Sequence, residues 1–103
     1  MNNYALGNFR KLNISQEQDL KKLQFSDQDV LTKEEDLRTR SANLDKAGVF
    51  ATHPKIKVFI TLKDINGNLH KIEAVVYKHE NDTVVLKSGL SIPVKVIYSV
   101  DFF

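Results

Sequence analysis

The sequence predicts an α+β fold that is mainly β, with an N-terminal helix or helices followed by a five-stranded antiparallel barrel. Three observations support this prediction. Apolar residues concentrate in the second half of the 103-residue chain. That half alternates polar and apolar residues with a period of two between short turn signals. The first half carries helix-start signals but only a narrow apolar stripe.

The composition changes near residue 48. Residues 1–48 balance eight basic residues against eight acidic ones and are poor in apolar side chains. Residues 49–103 hold seven lysines, five acidic residues and no arginine, and 27 of their 55 residues are apolar. The sequence therefore predicts a polar, partly helical N-terminal segment over 1–48 and a small β-barrel domain over 49–103.

Two stretches of the first half have the form of a helix capping box. Ser15 followed by Gln18 predicts a short helix, and Thr32 followed by Glu35 predicts a longer one over about 33–47. Gly48 is predicted to follow the C-terminus of this helix, where glycine is common.

The longer helix has a thin apolar stripe. Leu37 and Leu44 lie on one face of it, seven residues apart. A stripe of so few apolar side chains cannot stabilise an isolated helix in water. We therefore expect this helix to dock on the second half of the chain or on a partner.

The second half reads as short antiparallel strands joined by tight turns. Asn66-Gly67 is the pair favoured in a two-residue type I′ hairpin turn. Pro93 cannot donate a ladder hydrogen bond, so a short 3₁₀ turn is expected between the fourth and fifth strands. The five predicted strands cover about 56–63, 69–79, 83–87, 90–92 and 98–102.

The end of the chain resembles a known family. Ile92-Pro93, three residues, Ile97, two residues and Val100 form a pattern similar to the end of the YolD-like family, small bacterial proteins of Sm-like or SH3-like barrel architecture. The resemblance covers residues 55–103. It implies such a barrel, no enzymatic activity, and a setting in DNA repair or on a mobile element, since YolD-like proteins are often found beside translesion polymerases.

The same half also looks like the bacterial Sm-like RNA chaperone. The similarity lies in the strand Val58-Phe59-Ile60-Thr61-Leu62 and in the Asn66-Gly67 turn. It implies the same barrel architecture.

Catalytic and metal-binding motifs are lacking. The chain has no cysteine, so it has no thiolate nucleophile. It has only four glycines, too few to favour a glycine-rich phosphate-binding loop. His70 and His79 fall at opposite ends of one predicted strand, and His53 lies before it. We therefore expect no enzyme, no bound metal and no cofactor.

A basic strip marks the first predicted strand. Lys55, Lys57 and Lys63 share one face with Phe59 between them. Lysines with an interleaved aromatic bind single-stranded RNA or DNA in small barrels, through phosphate contacts and base stacking. The alternative is that these lysines keep the outer face of the sheet soluble.

An apolar terminus favours protein partners. Phe102 and Phe103 end the chain, and either the stripe of Leu37 and Leu44 or a second molecule must cover them. A homodimer is one such arrangement. We take these four residues as candidate partner-binding residues.

The function predicted from the sequence is therefore a non-enzymatic barrel that binds a protein partner. The alternative is a single-stranded nucleic-acid-binding barrel. No run of residues has the length of a membrane span and no secretory signal opens the chain, so the cytoplasm is the expected location.

Overall fold

The computed structural model describes residues 14–49 and 56–102, and over these ranges the fold is α+β and mainly strands. The described helices are α1 (Glu17–Leu20), α2 (Glu34–Val49) and a 3₁₀ turn (Val94–Val96). The described strands are β1 (Ile14–Ser15), β2 (Val58–Lys63), β3 (Leu69–Ala74), β4 (Val76–Glu80), β5 (Thr83–Leu86), β6 (Ser91–Pro93) and β7 (Ile97–Phe102). No described helix combines the length and apolar character needed to cross a membrane.

The described strands form two sheets, where the sequence predicted one sheet of five strands. The first has the order β1-β3-β2-β7 and the second the order β4-β5-β6. They separate because the predicted strand 69–79 is interrupted at Val75, so that β3 and β4 belong to different sheets. The first sheet also gains β1, which pairs in parallel with β3 and was not predicted.

The core lies between these sheets and α2. Val58, Ile60 and Leu62 of β2 alternate into it, as the period of two predicted. Leu44 and Ala47 bring the C-terminal half of α2 into the same core. Leu44 of the predicted stripe thus docks on the strands, where α2 packs against both β4 and β7, whereas Leu37 is half-buried and is not part of this core.

The boundaries of both helices differ from the capping-box predictions. The residue before α1 is Gln16, which makes no side-chain cap, so Ser15 does not serve as one. α2 continues through Gly48 to Val49. Gly48 is not among the glycines with a positive φ, so it does not end the helix in the left-handed conformation that the prediction required.

The Asn66-Gly67 hairpin forms, but not as a type I′ turn. Only Gly67 has a positive φ, +89°, whereas a type I′ turn requires one at both central residues. The Asp64 amide donates to the Asn68 carbonyl at 2.9 Å, which closes a three-residue loop with glycine at its left-handed end. The turn from Leu86 to Leu90 repeats this arrangement, with Gly89 at φ +96°.

A buried ion pair fixes the N-terminal segment. Arg40 of α2 is 6% exposed, and its two terminal nitrogens reach the two carboxylate oxygens of Asp29 at 2.8 and 2.7 Å. The same guanidinium donates to the carbonyl of Ile97 in β7 at 3.0 Å. Burial raises the pKa of Asp29, but the hydrogen bonds from Arg40 and from the Leu31 amide outweigh it and hold that pKa below its usual range.

Asp64 organises the first hairpin. Its buried carboxylate accepts hydrogen bonds from the amides of Asn66 and Asn68 and from Nε2 of His70, each at 2.9 Å. The bond from His70 is the largest cause of a lowered pKa at Asp64, and the two amides add to it, so that together they outweigh burial.

We predict that Arg40→Met costs about 2–4 kcal/mol of unfolding free energy, because it leaves the Asp29 carboxylate without its partner in a half-buried site. Arg38→Met is the matched control. Arg38 pairs with Glu34 on the exposed surface of α2, so its loss should cost under about 0.5 kcal/mol. Urea unfolding of both variants measures the difference. Equal effects would show that the buried pair adds no more than an exposed one.

We predict a second effect on the pH dependence of stability. Because the folded chain holds the pKa of Asp64 below its usual range, the contribution of Asp64 to the unfolding free energy should be constant above about pH 5 and be lost as pH drops through the folded pKa. Asp64→Asn should cost about 1–3 kcal/mol at pH 7 and flatten part of that acid limb. Asp36→Asn, on exposed α2, is the control, and a profile of Asp64→Asn parallel to the wild type would contradict the prediction.

Candidate functional site

The structure opens a cleft of about 450 Å³ where the N-terminal segment meets both sheets. One wall is β1 together with α1, and the other comes from the first sheet and from the β5–β6 turn. The lining residues, which we call the cleft residues, are Ile14, Ser15, Gln16, Glu17, Gln18, Lys21, Lys57, Glu73, Ser88 and Leu90. The volume is within the range of ligand-binding pockets.

A hydrogen bond holds the two walls together. The Ser88 hydroxyl donates to a carboxylate oxygen of Glu17 at 2.7 Å, across 71 residues of sequence. Leu20, next to the cleft residues on α1, is 2% exposed and inserts into the core. The backbone also ties the segment down, because the Ile65 amide donates to the carbonyl of Gln24 at 2.8 Å. The cleft is therefore built by tertiary contacts.

Charges of both signs line the cleft. Lys57 and Glu73 face each other at 3.7 Å, a loose ion pair, with Lys57 half exposed. Glu17 accepts from Ser88, whereas the ammonium of Lys21 has no ion-pair partner among the described residues. Ile14, which is 49% exposed, and half-buried Leu90 add apolar surface.

The predicted basic strip is placed on the outer face of β2. Lys57, Phe59 and Lys63 do share that face, and Lys55 lies outside the described residues. Thr61, between Phe59 and Lys63, is fully buried. The strip is therefore interrupted at its centre.

Neighbouring strands alter the charge of this face. Lys71 of β3 places its ammonium 4.7 Å from the centre of the Phe59 ring, a cation–π contact. Asp101 of β7 and Glu73 of β3 lie directly across from Phe59 on either side. The face thus holds three lysines, counting Lys71, against two carboxylates.

The predicted partner-binding residues do not form one surface patch. Leu44 is fully buried in the core, Leu37 is half-buried near the start of α2, and Phe103 lies outside the described residues. Phe102 is half-buried, with the ammonium of Lys46 from α2 at 4.7 Å from its ring centre. Cover for Phe102 thus comes in part from α2 of the same chain.

The two histidines in the described ranges make structural hydrogen bonds. His70 binds Asp64, and Nδ1 of His79 lies 2.7 Å from a carboxylate oxygen of Asp45, which links β4 to α2. His53 lies outside the described residues. No group of three histidine, aspartate or glutamate side chains in the described ranges could hold a metal ion.

Sequence reasoning identified only Lys57 among the cleft residues. The others come from segments that are distant in sequence, and no local pattern connects Glu17 with Ser88. The Ser88-Gly89 pair indicated a turn, but not that the turn would face β1.

Comparison with protein-family models, with curated proteins and with solved structures finds no match for this chain.

Proposed function

We propose that this protein is a non-enzymatic interaction module whose partner is another protein. The observation that carries the proposal is the cleft, which combines apolar side chains, both signs of charge and uncharged hydrogen-bonding groups. A segment of polypeptide offers the same mixture of groups. A site that recognises such a segment needs only a rigid frame and matching contacts.

The rigid frame is, in this proposal, one small barrel of the Sm-like or SH3-like type. β3 and β4 are separated by Val75 alone, so one bent strand serves both sheets. At the opposite side, β6 of the second sheet leads through the 3₁₀ turn into β7 of the first. The resemblance of residues 55–103 to the YolD-like family agrees with this architecture and points to a partner in DNA repair or on a mobile element.

The charge pattern favours protein over nucleic acid. A single strand of RNA or DNA requires a continuous positive surface with accessible aromatic faces. On β2 the half-buried ring of Phe59 already contacts Lys71, and Glu73 and Asp101 flank it. The two carboxylates beside Phe59, the only described aromatic residue of the strip, would repel a polyanion.

Selection of random peptides displayed on phage, with the full chain as bait, tests the proposal. We expect enriched peptides whose binding is lost when Ser88→Tyr fills the cleft from an exposed turn position. Ser41→Tyr, on the exposed face of α2, adds the same side chain elsewhere and should leave binding intact. Enriched peptides that bind both variants equally, or no enrichment at all, would overturn the proposal.

The alternative function is single-stranded nucleic-acid binding by the outer face of β2. Lys71 favours it, since it adds a third lysine to Lys57 and Lys63 beside Phe59. A salt series with fluorescent single-stranded DNA and RNA tests this function. Submicromolar affinity that collapses between low and moderate salt, and that Lys63→Gln weakens, would support it and count against the protein partner.

A further inference from the structure

We infer that residues 23–31 form a displaceable arm, and that the surface under this arm is a docking site for a segment of a partner protein with the same chemistry. That chemistry is two apolar side chains followed by a carboxylate. The inference goes beyond the proposed function and needs no ligand in the cleft, because none of the cleft residues lies in the arm.

The arm lies on the fold without entering its core. No residue of the arm is fully buried, and none belongs to a helix or a strand. Leu23 and Phe25 are half-buried and pack against the core cluster, whose members Ile60 and Ile72 are completely buried. A segment with an irregular backbone and little buried apolar area opens at a lower free energy than core strands do. We therefore expect the arm to detach while the sheets stay folded.

Main-chain hydrogen bonds hold the arm near both of its ends. The Ile65 amide donates to the Gln24 carbonyl at 2.8 Å, and the Val30 amide donates to the Lys95 carbonyl at 2.9 Å. These bonds attach the arm to the β2–β3 turn on one side and to the 3₁₀ turn on the other. Because they use only backbone groups of the arm, any polypeptide segment in the same position could form them.

Arg40 is a buried binding site for a carboxylate, and Asp29 of the arm satisfies it incompletely. The guanidinium is 6% exposed, and its two terminal nitrogens lie 2.8 and 2.7 Å from the carboxylate oxygens of Asp29. Bidentate contact of this kind is the geometry with which arginine recognises carboxylates. Nε of the same guanidinium is buried and has no partner among the described residues. A buried donor without an acceptor is unfavourable, so the contact with Asp29 is weaker than a complete one.

The arm itself defines the chemistry of the partner. Its side-chain contacts come from Leu23 and Phe25 and, four residues further on, from Asp29. Residues 26–28 are exposed and, within the described chain, make no hydrogen bond or ion pair outside the arm. A partner segment therefore needs two apolar residues and an aspartate at this spacing, whereas the positions between them are unrestricted.

The arm competes with any partner segment because it is tethered next to the site. Tethering gives it an effective concentration on the order of millimolar, so a free segment displaces it only weakly. Loss of the Asp29 carboxylate changes this balance. Arg40 would then be a buried cation without an ion-pair partner, which favours detachment of the arm and leaves the guanidinium to a carboxylate supplied in trans.

Two other occupants fit less well. A nucleic-acid strand could offer a phosphate to Arg40, but its sugar–phosphate backbone has no amide to donate to the Lys95 carbonyl. A second copy of this chain could exchange arms with the first. Each exchanged contact would replace an identical one, however, so the exchange adds no new interaction.

The test measures binding of a fluorescent peptide of residues 22–32 to the full chain by fluorescence anisotropy. We expect the Asp29→Asn protein to bind this peptide at least tenfold more tightly than the wild type, because its own arm no longer occupies Arg40. The peptide that itself carries Asp29→Asn should bind the same protein at least fivefold more weakly. Asp27→Asn is the matched control, since it removes the same charge from an exposed position of the arm, and it should change affinity less than twofold.

Hydrogen exchange of the wild type measures the opening of the arm without any substitution. The Val30 amide should have a protection factor at least tenfold below that of the Ile60 amide in β2, which is paired on both sides. Equal protection of the two amides, or an unfolded Asp29→Asn protein, would show that the arm separates only when the whole chain unfolds. Either result would overturn the inference.

Binding results can overturn it as well. No binding, equal peptide affinity of Asp29→Asn and wild type, or equal gains from Asp29→Asn and Asp27→Asn would show that Arg40 is not the site. A fluorescent single-stranded DNA that gains as much affinity as the peptide from Asp29→Asn would assign the surface to anions, and Asp29→Asn dimers that accumulate with protein concentration would assign it to a second copy. Ser88→Tyr fills the cleft and should leave the peptide affinity of Asp29→Asn unchanged, whereas a loss would place the peptide in the cleft.

Discussion

The geometry of the N-terminal segment depends on the ion pair between Arg40 and Asp29. A guanidinium that is 6% exposed is costly to bury without partners. Here Asp29 accepts from both terminal nitrogens and the carbonyl of Ile97 accepts from Nη1, whereas Nε is buried without a partner. One side chain thereby joins α2, the segment before it and β7. A hydrogen bond from the Val30 amide to the Lys95 carbonyl, 2.9 Å long, reinforces this junction.

Much of the strand structure could be predicted from local sequence. β2 and its neighbours follow the alternation of apolar residues, because a half-buried strand must turn every second side chain to the core. The break at Pro93 was also predictable, since proline ends the pairing of β6 and the 3₁₀ turn follows at Val94–Val96. Turn type was less predictable. Asp64, by accepting three hydrogen bonds, selects a three-residue loop although Asn66-Gly67 alone favours a two-residue one.

The candidate site could not be predicted in this way. β1 is two residues long and parallel to β3, which gives it no periodicity of its own. Asp29 stands in a run of polar residues that reads as a loop, and only tertiary packing shows it as the partner of Arg40. The cleft residues are likewise assembled by contacts such as that between Glu17 and Ser88. Hydrophobic periodicity indicates which face of a helix or strand is buried. A cleft such as this one depends instead on which exposed faces lie next to each other in the folded chain.

Lys57 connects the two candidate functions. It begins the lysine strip on the outer face of β2 and also lines the cleft opposite Glu73. A ligand that contacts Lys57 in the cleft would withdraw this lysine from the strip. A peptide in the cleft and a nucleic acid on the strip would therefore oppose each other. Substitutions of Lys21 and Lys63 distinguish the two functions, because Lys21 lines only the cleft and Lys63 lies only on the strip.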